Sequence, residues 1–246
     1  MPTLVEARAW ADAANADNDT RNQLLDGVET ALAETTSWAE AVGKGVAEKQ
    51  RQIGREERAA SVVRNFTTMI IPGLLLTAEY TRRQTALAAD LLPVLARDRP
   101  ATLAAWGERQ QVLYEPGRRF EFVVTEAALR WRPGPDDNPR MLAAQMHYIA
   151  SLSTLDTVRF GIIPWSTATR FCPMHGFIVF GEPGVDEHSE IYIYTTTREF
   201  RVRDPAEVAV YLELWGRLCE GAVFGEDARD LLRSLAAELL VERTSF

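Results

Sequence analysis

Ile71-Pro-Gly-Leu-Leu-Leu-Thr-Ala-Glu-Tyr-Thr-Arg82 reads as a turn that launches a helix. Pro72 locks its own φ and carries no N–H, and Gly73 tolerates a positive φ, so the pair predicts a sharp corner. Downstream, the apolar spacing predicts helices at about 77–90 and 100–113, the second opening on Pro100, a residue suited to a first helical turn. Upstream, residues 3–66 read as helical throughout. Leu4, Ala7, Ala11 and Ala14 share one face, and Leu24, Leu25, Val28 and Leu32 repeat at helical spacing. Breaks with N-cap residues fall at Asn15-Ala-Asp-Asn-Asp-Thr20 and at Thr35-Thr-Ser37, where Glu40 stands as in a capping box.

Past Pro116-Gly117 the pattern changes. Phe120–Val124 is rich in aromatic and β-branched residues and predicts a strand. A short helix over Glu126–Trp131 and a longer one over Arg140–Leu152 follow. Four strand-like runs come next: Val158–Pro164, Phe177–Gly181, Ile191–Thr196 and Glu199–Arg203. Thr197-Arg198 reads as a tight turn, so the last two should pair antiparallel. Two closing helices carry apolar stripes, Val208/Tyr211/Leu212/Trp215/Leu218 and Ala228/Leu231/Leu232/Leu235/Leu239. This order predicts an α+β fold: N-terminal helices, a small mostly antiparallel sheet with flanking helices, and two C-terminal helices. The expected division is a helical segment at 1–66 and an α+β domain at 67–246.

The 246 residues suffice for a sizeable core. A net charge of −8 opposes phosphate and anionic membrane surfaces, unlike the basic face of an isolated nucleic-acid-binding domain. The Ile70–Leu76 run is short and broken by Pro72-Gly73, so no membrane span is expected. Cys172 and Cys219 belong to no Cys-x-x-Cys pair, and the first segment lacks a long apolar run, so a cytoplasmic chain is expected.

Chemistry-bearing patterns are sparse. Cys172 stands three residues before His175, but a structural metal site needs about four ligands and no second pair exists. His188, Glu121, Glu126, Asp136 and Asp137 read as solvated or capping groups. No dinucleotide fingerprint, phosphate loop or nucleophile elbow occurs. Neither catalytic residues nor a cofactor nor a metal is therefore expected. Lys44, Lys49, Arg51, Arg55, Arg58 and Arg64 interleave with Glu48, Glu56 and Glu57. They form either an ion-paired exposed face or a helix near DNA phosphate. The bulky residues Trp106, Met146, Phe160, Phe177, Ile191 and Trp215 either fill a core or line a pocket for a small apolar ligand between sheet and helices.

The opening stretch, with Pro72, Gly73, Leu74, Leu75, Thr77, Glu79, Tyr80 and Arg82, resembles the region that follows the DNA-binding domain in actinobacterial Xre-type helix-turn-helix regulators, the antitoxin-like kind. Glu57 and Ala60, Arg109-Gln110, Glu126-Ala-Ala-Leu129, Gln145-Met146, Ile162-Ile-Pro164 and Gly176-Phe177 match the same family in order. Leu76 departs from it, standing where the family usually has Gln. The resemblance implies a non-enzymatic regulatory domain, sensing a ligand, dimerising, or binding a small cognate partner protein. It implies DNA contact only through a helix-turn-helix head, and no such pattern precedes residue 60. Pro2–Ala14 resembles the last helix of such a head. Regulators of this type act as dimers, so self-association through the helices from Glu29 to Phe66 is expected.

Overall fold

The computed structural model describes residues 2–96, 98–134, 138–168 and 173–241. The chain opens with a helical hairpin, α1 (Leu4–Ala13) and α2 (Asn18–Glu34). Thr3 and Glu6 cap α1 reciprocally, and the Asp17 carboxylate accepts from Thr20 N at 2.7 Å to start α2. Next come β1 (Thr35–Ser37), the single turn α3 (Trp38–Ala41), α4 (Val46–Ala59) and β2 (Val62–Thr67). The helical reading of 62–66 is thus wrong. Val62, Val63, Arg64, Asn65 and Phe66 are all buried. A strand covered on both faces shows no alternation, which hid it behind a helix-rich run.

The Pro72 corner leads through a 3-10 turn (Gly73–Leu75) into α5 (Ala78–Leu91), then α6 (Arg99–Gln110) and β3 (Arg119–Thr125). α7 (Glu126–Arg130), α8 (Pro139–Leu152), β4 (Val158–Ile163), β5 (Phe177–Phe180), β6 (Glu190–Tyr194) and β7 (Arg198–Val202) follow. α9 (Pro205–Glu220), β8 (Val223–Phe224) and α10 (Gly225–Val241) end the described chain. The fold is α+β, as expected. Its single sheet is wider than the small one anticipated, with the order β1-β7-β6-β5-β2-β3-β4-β8. β2–β3 and β3–β4 pair parallel, and the remaining neighbours pair antiparallel, including β6 with β7. Because β1 and β2 both belong to this sheet, it crosses the expected boundary between residues 66 and 67.

Two cores flank the sheet. On one face Val63, Phe120, Phe122, Phe160, Phe180 and Tyr192 pack beneath the corner, α8 and α10. On the other Phe66, Val123, Phe177, Val179 and Ile191 pack against Val208, Trp215 and Leu218 of α9. At the β4–β8 edge Gly161 admits the Phe224 ring, whose Cε1 would lie 2.4 Å from a Cβ at that position. The Arg159 guanidinium stacks over the same ring at 4.0 Å. No helix among the described residues is long and apolar enough to cross a membrane.

Candidate functional site

The corner that decides the fold is built for packing. The sharp corner forms, but Gly73 does not use the positive φ that glycine tolerates. Its missing side chain instead leaves room for Trp106, whose ring would lie 3.3 Å from a Cβ there. Trp106 Nε1 donates to Gly73 O at 2.9 Å. Gln110 Nε2 donates to Leu74 O and Leu76 O at 3.1 and 2.7 Å. Gln145 Nε2 donates to Leu75 O at 2.6 Å, and its Oε1 accepts from Thr77 N at 2.7 Å. Three side chains from two helices therefore satisfy a backbone that no ladder serves. Leu74, Leu75, Leu76 and Tyr80 are buried, and Thr77 caps α5. Glu79 pairs with Arg82 and Arg83 on the helix surface. Leu76, at the departure from the family pattern, is 1 % exposed and carries its polar contact on its backbone oxygen.

The six bulky residues expected to line one pocket are not brought together. Met146 and Phe160 belong to the core beneath α8, with Trp106 packed against it. Phe177, Ile191 and Trp215 belong to the core beneath α9. The sheet lies between the two sets, so no shared wall exists. The cause is the pleat: successive side chains point to opposite faces, and register decides which residues of different strands share one.

A polar assembly lies where α4 and α6 meet the β6–β7 hairpin. The face of α4 turned inward carries Lys49, Gln50 and Glu57 beside Ile53 and Gly54. Glu57, 2 % exposed, takes a bidentate pair from Arg109, with Nε at 2.8 Å and Nη2 at 2.6 Å. Arg109 Nη1 also donates to Gln50 Oε1 at 2.8 Å. Burial raises the Glu57 carboxyl, and the neighbouring guanidinium opposes that rise. On the hairpin, register sets Tyr192 opposite Arg201 and Tyr194 opposite Glu199, so all four face α4. Glu199, 1 % exposed, receives Arg201 Nε at 2.9 Å. The Arg201 guanidinium lies 4.5 Å from the Tyr192 ring centre and 3.6 Å from Glu56. Burial raises the Tyr192 and Tyr194 hydroxyls.

Lys49 Nζ lies 2.7 Å from Glu199 Oε2, yet that oxygen has no partner in hydrogen-bond geometry. The contact is a buried ion pair, closed to solvent on both sides. Glu56 Oε2 and the Tyr194 hydroxyl are likewise buried without a hydrogen-bond partner. Beside this floor opens a cleft of about 320 Å³, walled by Thr36, Glu40, Lys44 and Gln52 on one side and Glu199 and Arg201 on the other. A larger groove of about 730 Å³ runs between the 183–190 loop and α9. Two of its three acids are engaged: Asp186 accepts from Ser61 N, Ser61 Oγ and Glu182 N, and Glu190 accepts from Arg203 and Tyr192, while Glu187 is exposed.

Phe171 and Cys172 of the proposed loop, with Asp136 and Asp137, lie outside the described residues. His175 is exposed, with Nδ1 3.1 Å from Gly176 O and Nε2 3.4 Å from the Tyr211 hydroxyl. Among the described residues no group of three or more His, Cys, Asp or Glu side chains is placed to hold a metal. The polar assembly was only partly visible in sequence. Glu57, Arg109, Gln110 and Gln145 all stood in the family-like pattern, whereas nothing marked Glu199 as buried. The usable signal was a helix whose charged residues recur on its apolar stripe, Lys49 and Glu57 flanking Ile53.

No curated protein matches the chain significantly. A family model described as a domain of unknown function, DUF5753, matches residues 50–234. That span starts at Gln50 on the inward face of α4 and includes the corner, the polar assembly apart from Lys49, and most of both cores. The chain belongs to this DUF5753 family.

Proposed function

We propose that this chain is a non-enzymatic regulatory module, of the kind that accompanies a helix-turn-helix DNA-reading head. Its N-terminal helices report the occupancy of the cleft beside Glu199. One observation carries the reading: the cleft lies at the joint between those helices and the sheet. Thr36 of β1, Glu40 of α3 and Lys44 form its outer wall, and β7 forms the other. β1 pairs with β7, Trp38 N donates to Thr197 O at 3.0 Å, and the Trp38 ring stacks on Tyr194 at 5.8 Å. A ligand binding there would touch both sides of the joint and so bias their arrangement through differential affinity. The apolar-ligand version of this reading loses its basis, because the residues it needed sit on opposite faces of the sheet.

Hydrogen exchange tests the coupling. Glu199→Gln leaves Lys49 and Arg201 less compensated and should speed backbone exchange across residues 4–41 about tenfold, the equivalent of about 1.4 kcal/mol. Exchange in α8 and α10 should stay unchanged. Unchanged exchange across 4–41 would sink the reading.

A second reading, self-association or capture of a small partner protein, is favoured by the α1–α2 hairpin. Val5, Trp10 and Leu32 are 77 %, 54 % and 39 % exposed there. Light scattering at high concentration should detect a dimer that Trp10→Asp dissociates. A strict monomer across the concentration range would remove self-association.

A further inference from the structure

We infer that the α1–α2 hairpin is a docking surface for a basic amphipathic helix of another protein. This rests on the second reading above and names the partner's chemistry. Ala7 and Ala11 of α1 are buried on the side that packs on α2, and α2 in turn reaches the sheet at β1 and β7. Away from that side lies Val5, followed at four-residue intervals by Ala9 and Ala13, with Trp10 at the flank. All four are exposed. A tryptophan and a valine left in water on one helix make it an unpartnered apolar face. From Val5 to Ala13 that face is about 12 Å long, so about three turns of a partner helix cover it. The hairpin lies outside residues 50–234, so the contact belongs to this chain rather than to the family domain.

The charge of the hairpin decides what covers it. Residues 3–34 hold seven carboxylates against two guanidiniums, which concentrates five of the chain's eight net negative charges there. One guanidinium, Arg21, is already paired with Asp12. Asp19, Asp26 and Glu29 share the exposed face of α2 and form no ion pair with a described residue. Elsewhere acids are matched locally, Glu48 by Arg51 and Arg55, and Glu226 by Arg229 and Arg233. A second copy docked by this surface would set five net negative charges against five, so self-association is its weaker use. A helix with lysine or arginine flanking an apolar stripe meets both demands. Its stripe covers Val5 and Trp10, and its cations face the carboxylates. Glu6 stands one turn before Trp10, so α1 offers an acid beside its aromatic anchor.

The test is fluorescence anisotropy of a labelled synthetic helix of about 18 residues, with leucine on one face and lysine and arginine on the other, titrated with the full chain. A counterpart with glutamate at every basic position keeps the apolar face and reverses the charge. The basic peptide should bind with a Kd of about 10 μM or tighter at low salt and more weakly as salt is added, and the acidic one at least about tenfold more weakly. Trp10→Ser should weaken binding about tenfold, and so should Asp19→Asn, Asp26→Asn and Glu29→Gln together, each in a protein with the parent's circular dichroism. Glu207→Gln, Glu213→Gln and Glu220→Gln together remove the same charge from exposed positions of α9 and should leave the affinity within about twofold. Absence of saturable binding by the basic peptide overturns the inference, as does equal affinity for the acidic one. Equal weakening by the α2 and α9 replacements would mean attraction to net charge alone and overturns it too. A dimer through Trp10 that the basic peptide fails to dissociate assigns the face to a second copy, which overturns the inference and keeps self-association. A strict monomer that binds the peptide in this pattern removes self-association and leaves the inference standing.

Discussion

Arg109→Ala should be the most damaging single change outside the apolar core. The guanidinium is 7 % exposed and holds Glu57, 2 % exposed, through two hydrogen bonds, with a third bond to Gln50. Removing one partner of a buried pair strands the other charge, at a cost of about 3–5 kcal/mol. For a chain of this size that lowers Tm by about 10 °C. Replacing both residues, Glu57→Met with Arg109→Met, should recover most of the loss, because the desolvation penalty disappears with the charges. A Tm within about 2 °C of the parent for Arg109→Ala would mean that the pair is solvated in solution.

The same variant should show a characteristic pH dependence. Burial raises the Glu57 carboxyl, and in the parent the Arg109 guanidinium opposes that rise. Without Arg109 the folded-state value climbs further above the unfolded one, about 4.3. A raised folded value means that the folded state keeps a proton which the unfolded state has released. The stability so contributed is complete below the unfolded value and is lost as pH rises through the folded one. The Tm deficit of Arg109→Ala should therefore be smallest near pH 4 and grow toward pH 8. A deficit that is flat with pH would place its origin in lost packing.

How much of this was legible depends on whether a residue's role is local or relational. Helices with a clear stripe, such as Val208 to Leu218, were readable because 3.6-residue spacing is a local property. So were strands β3 to β7, with their aromatic and β-branched content. β1 and β8, three and two residues long, carry too few residues to show a period. β2 is buried on both faces, so its Arg64 and Asn65 disguised a central strand. Arg64 survives there through ion pairs with Glu121 and Glu182, partners that only the assembled sheet supplies. The expected pocket failed for a related reason. Whether Phe160 and Phe177 share a face depends on strand register, which no single strand encodes. The polar assembly joins residues 49, 57, 109 and 199, and its pairing became visible only once α6 and the hairpin were placed against α4.

Gln145→Leu should be nearly as costly as Arg109→Ala, for a different reason. Gln145 is fully buried and serves the corner in both directions, donating to Leu75 O and accepting from Thr77 N. Leucine fills most of the space but leaves a buried carbonyl and a buried N–H unpaired, each costing about 1–3 kcal/mol, so the total is about 2–6 kcal/mol. The denaturation midpoint should fall accordingly with the m value unchanged. Gln145→Glu discriminates further. An ionised carboxylate still accepts from Thr77 N but faces Leu75 O as a second acceptor, so at neutral pH it should be worse than leucine. Once protonated it can donate to Leu75 O and restore both bonds, so it should recover toward the parent as pH falls. If leucine and glutamate variants match the parent in midpoint, the Pro72 corner holds itself. Its three amide and indole partners would then be ornaments of a turn that Pro72 and the buried Leu74, Leu75 and Leu76 already determine.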